Sequence, residues 1–407
     1  MKLHSILAPA IAALFIAAPA WAAGPKAYIG NFKDNTVSVI DTGASRVVAT
    51  VPVAAGPDGI AVARDDTQVF VSGSSASSLS VIDTASDQVA ATVEVGKGPQ
   101  GLAITPDGRW LLVAVNGDDR VAFVDTATRA VSATVPVPKP HTIAIRPDGK
   151  QAYVSSQAPG NFALVVIDLP TRAVTASVPV EKTPRDLEFG PDGKALYVTL
   201  AGVSAVQVFD PASNRMVAQI PTGVSPHVAH HFAGTPAGVV VVQGPGELML
   251  FDPATRTASG SIAVGKQPHW VDVLPDHKKV LVTNEGSNDV SVVDLAGGPV
   301  GTIPVGNAPR KVAAQHRAGA GTEPKAKVSI DNFAFAPVQV AIAAGQSVTW
   351  TNNDGAPHGI AFADGARGMD LMLPGQGFSR TFAKPGVYDY VCSVHPYMTA
   401  RVTVGAH

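Results

Sequence analysis

Apolar positions in the first three quarters of the chain come in short runs, cut apart by turns rich in Gly, Pro, Asp and Ser, and this pattern predicts strands. One run recurs as an apolar strand ending in aspartate: "VSVID" at Asp41, "LSVID" at Asp83, "VAFVD" at Asp125, "LVVID" at Asp168, "VQVFD" at Asp210, "LMLFD" at Asp252 and "VSVVD" at Asp294. The interval is 42 residues, with one of 43 between Asp125 and Asp168. A strand-opening proline keeps the same beat, at Pro57, Pro99, Pro140, Pro184, Pro226, Pro268 and Pro309. Two parallel series of seven define seven units. In each, a strand such as "HTIAI", a "PDG" turn, a strand such as "QAYVSS", the "VID" strand and a "VVATVPV" strand form a four-stranded meander, the pattern of a propeller blade.

Residues 27–53 supply only three of the four strands of the first unit. The missing innermost strand is expected from "RKVAAQ", 310–315, so that the end of the repeat region completes its beginning and hides both sheet edges. The segments "AYIGN", "QAYVSS" and "ALYVTL" resemble the signature of the YVTN family of seven-bladed β-propellers, over residues 25–315. That resemblance implies a fold and leaves the function open.

Periodicity stops at "HRAGAGTEPKAK", read as a linker over 316–327. Alternating strands resume over 328–407 with "VQVAIAAG", "QSVTWTNND", "FSRTFAKPG", "VYDYVC" and "ARVTVGA", a small β-sandwich. The expected fold class is therefore all-β, a seven-bladed propeller followed by a sandwich. Composition agrees: 39 Gly and 33 Pro are far more than long helices tolerate. A net charge of -2 without basic runs argues against nucleic acid or an anionic membrane surface as partner.

The first 22 residues read as a secretory signal peptide, with Lys2, an apolar stretch from Ile6 to Ala18 and a small-x-small site at Ala20-Trp21-Ala22. The stretch is too short and interrupted to span a bilayer, and the expected location is the periplasm. In that oxidising compartment Cys392, the only cysteine, has no partner for an internal disulfide.

Tyr388, Tyr390 and Cys392 share one face of a strand by period two; a tight loop follows with His395 and Met398, and His358 lies 34 residues upstream. One thiolate, two imidazoles and one thioether are the donor set of a type 1 copper site. The spacing C-x2-H-x2-M after "VYDY", with an upstream W-x-N-x5-H, resembles the cupredoxins, and the short loop is most similar to that of amicyanin. The resemblance implies copper ligands at His358, Cys392, His395 and Met398, and a redox partner docking on an apolar patch near His395, formed by Pro396, Tyr397 and Met372. Where cupredoxins commonly carry asparagine after the first histidine, this chain has Gly359, which implies a looser surround for the cysteine loop.

The residues after the seven prolines are Asp58, Gln100, His141, Arg185, His227, His269 and Arg310, and in a propeller they ring the mouth of the central channel. His141, His227 and His269 are candidate ligands of a second copper or a zinc, and Arg185 and Arg310 candidate contacts for a small anionic substrate. Glu188, His230 and Asp272 occupy one further position that is alanine in the other units, expected to be a polar cluster between blades, while His316 is expected in solvent.

Two functions follow. The first is a periplasmic type 1 copper protein that carries single electrons, with the propeller as docking or ligand-binding module. The alternative is a two-site copper oxidoreductase whose propeller histidines hold a metal that acts on a small molecule or oxyanion. A propeller followed by a cupredoxin is similar in outline to nitrous oxide reductase, whose activity does not transfer, because that family uses more histidines and two cysteines. No nucleotide fingerprint or hydrolase motif occurs.

Overall fold

The computed structural model describes residues 25–316, 326–343, 346–365, 368–382 and 384–405. The expected signal peptide and residues 317–325 of the expected linker lie outside them. No helix among the described residues is long and apolar enough to cross a membrane, and apart from one 3-10 turn, Asn116–Asp118, the regular elements among them are strands.

Residues 26–314 form seven four-stranded antiparallel sheets. Each repeating aspartate earns its place in a turn. Asp125 Oδ1 accepts the Ala127 and Thr128 N–H groups, Asp252 those of Ala254 and Thr255, and Asp294 those of Ala296 and Gly297. Four residues beyond the aspartate the chain turns left-handed, at Ser45, Asp87, Arg129, Arg172, Asn214, Arg256 and Gly298. The 42-residue beat is thus a hairpin signal, a carboxylate mimicking a backbone turn before a positive-φ residue.

The strand Pro309–Ala314 pairs antiparallel with Lys26–Asn31, Ala27 opposite Ala314 and Ile29 opposite Val312, and completes the sheet of Thr36–Asp41 and Arg46–Pro52. Inner strands touch in cyclic order, Pro57–Val62 to Pro99–Ile104, Pro140–Ile145, Pro184–Phe189, Pro226–His230, Pro268–Val273, Pro309–Ala314 and back to Pro57–Val62. Cores lie between sheets: Ile29 and Ile40 of the first pack with Val282, Val290 and Val293 of the last. Gly59 and Gly101 stand where a Cβ would strike the carbonyl of Gln100 or His141 on the next blade, so glycine permits this close approach.

One irregularity decides what the channel sees. Every inner strand shifts register just after its proline, for example between Pro57 and Ile60, Pro184 and Asp186, and Pro268 and Trp270. The bulge breaks strict alternation, and residues at two consecutive positions line the channel cavities, as His269 with Trp270 and Arg310 with Lys311 do.

In the C-terminal domain Ala326–Asp331, Ala334–Ala336, Ser347–Asn352 and Gly377–Thr381 form one sheet. Gln339–Ala343, His358–Phe362, Met369–Met372, Gly386–Val391 and Thr399–Gly405 form the other. Between them Trp350, fully buried, meets Phe362, Phe378, Phe382 and Tyr390 in tilted and edge-to-face contacts at ring-centroid distances of 5.3–6.5 Å.

The closing strand supports a direct test. Val312→Asp places an unpaired charge at a 2% exposed position and is expected to destabilise the propeller by about 3 kcal/mol or more. Val48→Asp, on the outer strand at 40% exposure, is expected to stay within about 0.5 kcal/mol of the parent in urea unfolding.

Candidate functional site

Two arrangements collect the residues singled out in the sequence. The first is at one end of the C-terminal sandwich. His358 opens a strand behind a loop that Asn352 holds in shape: its buried amide donates to the Ala356 and Met372 carbonyls, and its oxygen accepts the Asp354 N–H. Cys392 follows the strand Gly386–Val391, and its N–H donates to the Met398 carbonyl while the Met398 N–H donates to the His395 carbonyl, closing a tight loop.

Cys392 Sγ lies 3.6 Å from His358 Nδ1 and 3.8 Å from His395 Nδ1, and the two nitrogens are 3.3 Å apart. The point equidistant from these three atoms is about 2.1 Å from each, a metal–imidazole bond length and slightly short of a metal–thiolate one. Among the described residues this is the one group of three or more His, Cys, Asp or Glu ligand atoms gathered within 4.8 Å of one another. Cys392 and His358 are fully buried and Met398 nearly so. The thiol, imidazole and thioether chemistry, together with this triangle, fits copper.

The surround orients these groups. His358 Nε2 faces Asp354 Oδ2 at 3.2 Å, so an Nε2–H donates to the carboxylate and the Nδ1 lone pair is left free on the side of the sulfur. The Phe333 N–H first, and His358 after it, hold the Asp354 carboxyl below its ordinary range. The backbone N–H groups of Gly359 and His395 point at Cys392 Sγ, 3.4 and 3.3 Å away. Gly359, which lacks the asparagine side chain common at this place in cupredoxins, supplies a backbone donor to the sulfur. The Phe333 ring stands edge-on to both histidines, at 5.5 and 5.0 Å. Sequence reasoning missed Phe333 and Asp354; the acid four residues before His358 was the available signal.

On the surface, Pro396 and Tyr397 are exposed beside half-buried His395. Met372 is not part of that patch. It is fully buried in the sandwich core, opposite His358 in the sheet register.

Comparisons with known proteins decide the family. Residues 322–405 match the copper binding proteins of the plastocyanin/azurin family, and residues 18–107 match the YNCE-like beta-propellers. Over 84 residues the chain is 38% identical to amicyanin-alpha of Methylorubrum extorquens, covering 19% of this chain and 70% of that protein. The C-terminal domain belongs to the plastocyanin/azurin family. This cupredoxin is also 37% identical to amicyanin of Paracoccus versutus over 82 residues, 19% of this chain and 62% of that protein. It is 40% identical to chloroplastic plastocyanin of Tetradesmus obliquus over 72 residues, 15% of this chain and half of that protein. It is a copper electron-transfer domain. For the propeller, hydrazine synthase of Kuenenia stuttgartiensis aligns at TM-score 0.62 and 22% identity, over 66% of this chain and 92% of that one. The periplasmic gluconolactonase PpgL of Pseudomonas aeruginosa aligns at 0.59 and 21%, over 72% and 99%. At these identities the likeness concerns fold alone.

The second arrangement is the channel. His141, His227, His269, Arg185, Arg310, Asp58 and Gln100 share a cavity of about 310 Å³ whose lining also includes Lys311 and Trp270. The His227 and His269 rings are 4.0 Å apart between centroids, and His269 Nδ1 lies 3.2 Å from the Arg310 carbonyl. The three histidines meet in one chamber without forming a three-ligand cluster of the kind seen in the cupredoxin. Arg310 lies between Glu285 (3.3 Å) and Asp58 (3.4 Å), and Arg185 donates to Ser225 Oγ and Gln243 Oε1 at 3.0 and 2.9 Å.

Farther along the strands, Asp186, Glu188, His230 and Asp272 line a second cavity of about 480 Å³, with alanines 61, 103, 144 and 313 on its remaining wall. The expected polar cluster thus faces the channel. His230 Nε2 is 3.4 Å from Glu188 Oε1, and Asp272 accepts the Val273 and Ala314 N–H groups. Asp186 is 1% exposed with neither carboxylate oxygen hydrogen-bonded. Lys311, its Nζ 3.0 Å from the Trp270 ring centroid, lines both cavities. Sequence reasoning passed over Lys311 and Asp186 because strict alternation turns them away from the axis, and the bulge brings them in. His316 is exposed, as expected, and is hydrogen-bonded to Asp66 through its N–H (2.9 Å) and Nδ1 (3.0 Å).

Burial, with help from Arg185, His141 and Lys311, pushes His227 down to about 3 from the ordinary 6.5. Burial also lowers His141 and His269, so these imidazoles are neutral near pH 7. In the second chamber burial, then Glu188, raises Asp186 to about 7. Burial pulls His230 down, but Glu188, Asp186 and Asp272 outweigh it and raise its pKa. The two chambers then respond oppositely to acid. Below pH 6.5 an unfolded chain protonates His227 while the folded one does not, so that contribution to stability is lost toward pH 3. Asp186 works against it, taking up its proton in the folded state from about pH 7 downward and gaining stability. His227→Gln is expected to flatten the fall of the unfolding free energy between pH 6.5 and 5 by on the order of 1 kcal/mol relative to the parent, measured by urea unfolding at each pH.

Proposed function

We propose that the protein is a periplasmic one-electron carrier with a type 1 copper held by His358, Cys392, His395 and Met398, and with the propeller as its docking or ligand-binding module. The triangle of Cys392 Sγ and the two Nδ1 atoms carries this reading, because its dimensions suit a single metal and its donors suit copper. Copper bound there supplies a one-electron couple. The chain's own residues do the rest. Asp354 fixes the His358 ring, and the Gly359 and His395 N–H groups donate to the sulfur and hold it in place. Burial of Cys392 and His358 keeps water from the sulfur. Phe333 packs on both imidazoles and limits their movement.

A redox partner docking near His395 is supported by the exposed neighbours Tyr397, Val394 and Phe333, whose apolar surface borders the ligand nearest solvent. Export is supported by the Lys2, Ile6–Ala18 and Ala20-Trp21-Ala22 pattern, which also makes an unpaired cysteine reasonable as a metal ligand. The two-site oxidoreductase gains no such support, since the channel histidines do not gather three ligand atoms.

The copper-loaded protein is expected to be blue, and Cys392→Ala to lose the visible band while keeping the fold. Met398→Gln is expected to retain the colour and shift the reduction potential, read by redox titration. A parent protein that stays colourless with copper bound would overturn the assignment.

A further inference from the structure

The channel is polarised along its axis. Around the first chamber stand three cations, Arg185, Arg310 and Lys311, and the carboxylate Asp58. Arg310 is matched, since Asp58 and Glu285 both lie within 3.4 Å. Arg185 is not: its partners are the hydroxyl of Ser225 and the amide of Gln243, which take hydrogen bonds and leave its charge uncompensated. Lys311 rests on the face of Trp270, an interaction that tolerates a cation without neutralising it. Around these cations are neutral groups that can still bond. His141 Nδ1 and His227 Nδ1 are buried in the same chamber with no well-formed hydrogen bond, although the backbone of Arg185 and of His269 respectively bears on each ring. A buried polar atom left poorly paired costs free energy, so two such ring nitrogens, each able to carry its ring's proton and donate it, favour an occupant that accepts.

The second chamber has the opposite character. Asp186, Glu188 and Asp272 supply three carboxyl groups against His230 and Lys311. A negatively charged occupant of the first chamber is thereby repelled from moving on along the axis. A divalent metal would face the reverse situation, with Arg185, Arg310 and Lys311 around the imidazoles that were to bind it.

We propose that the first chamber binds a small oxygen-bearing anion, a carboxylate or an oxyanion, with Arg185 and Lys311 as its charge partners and His141 and His227 as neutral hydrogen-bonding walls. Arg185 presents a planar fork suited to two oxygens of such a group. Its place is held by the backbone clamps around it: Gln157 Nε2 donates to the Pro184 carbonyl and Thr199 Oγ1 to that of His227. The cavity of about 310 Å³ is at the small end for ligand pockets and suits a molecule of a few heavy atoms. This inference deepens the ligand-binding part of the function proposed above and is independent of the copper ligands.

The test uses the full, copper-loaded chain in a chloride buffer, titrated with sulfate or with oxalate and followed by isothermal calorimetry and thermal unfolding. Saturable binding of at least one of the two is expected, weakened tenfold or more in Arg185→Gln and partly restored in Arg185→Lys. Arg146→Gln, in the turn that follows the inner strand Pro140–Ile145, where Arg146 pairs with Asp148 outside the lining of the first chamber, serves as control and is expected to bind as the parent does. Circular dichroism of each variant separates lost binding from lost fold. No saturable binding of either anion, or equal binding in folded Arg185→Gln, overturns the proposal. So does a second equivalent of copper or zinc that binds the Cys392→Ala chain and is lost in its His227→Asn derivative. The blue band reads the cupredoxin separately, so anion binding by a colourless protein would sink the electron-carrier reading alone, and a blue protein without anion binding would sink only this one.

Discussion

A single antiparallel pairing, Pro309–Ala314 on Lys26–Asn31, holds the larger part of this protein in its shape. Each four-stranded sheet has two apolar faces, and each face can leave water only against the next sheet. A row of such sheets would end in two uncovered faces and two strand edges. The closing pair removes all four at once, and its consequence is visible where Ile29, Ile40 and Val312 join the core of the last sheet. Closure also forces the inner strands together around one axis. The channel, its two chambers and its ring of side chains are products of that convergence.

Much of this was legible in the chain because it rests on local chemistry repeated many times. The aspartates that end "VID" strands are readable because each one accepts turn N–H groups, and the positive-φ position four residues later is met by Asn214 or Gly298 as readily as by Arg129. The residues proposed for the copper site were visible for a related reason: Cys392, His395 and Met398 belong to one loop, and only His358 comes from elsewhere. What escaped was whatever depends on a departure from regularity or on packing between distant segments. Lys311 and Asp186 reach the channel through a bulge that shifts the phase of the strand. Met372 reads as a loop methionine, yet the pairing of Met369–Met372 with His358–Phe362 places it in the core. Phe333 comes to the histidines from the turn between Ala326–Asp331 and Ala334–Ala336, two strands of the other sheet.

The two sites are built on opposite principles. In the cupredoxin, three donor atoms are held close by short-range constraints, so that the metal would complete a geometry already present: the N–H groups at the sulfur, the Asp354 carboxylate and the Asn352-braced loop act within a few residues of the ligands. In the channel no donor triangle exists. Seven chain segments contribute one or two side chains each from symmetric positions, and selectivity has to come from charge and from unpaired polar atoms distributed around a volume.

That distribution is not what a repeat left to itself would produce. Positions one residue after the proline include Asp58, Gln100, three histidines and two arginines, while the position four after it is alanine in four sheets and Glu188, His230 and Asp272 in three consecutive ones. Alanine at that depth leaves room, and the polar trio facing it makes the room one-sided. The chamber with the unmatched Arg185 lies nearer the strand entrances, the carboxylate-rich chamber lies farther along, and Lys311 borders both. An axial field of this kind costs stability, because burial already strains Asp186 and Lys311 in opposite directions, one toward its acid and one toward its amine. Propeller closure needs none of these charges, since the blades are held by their apolar faces, and so the polarity of the channel has to be explained by what enters it.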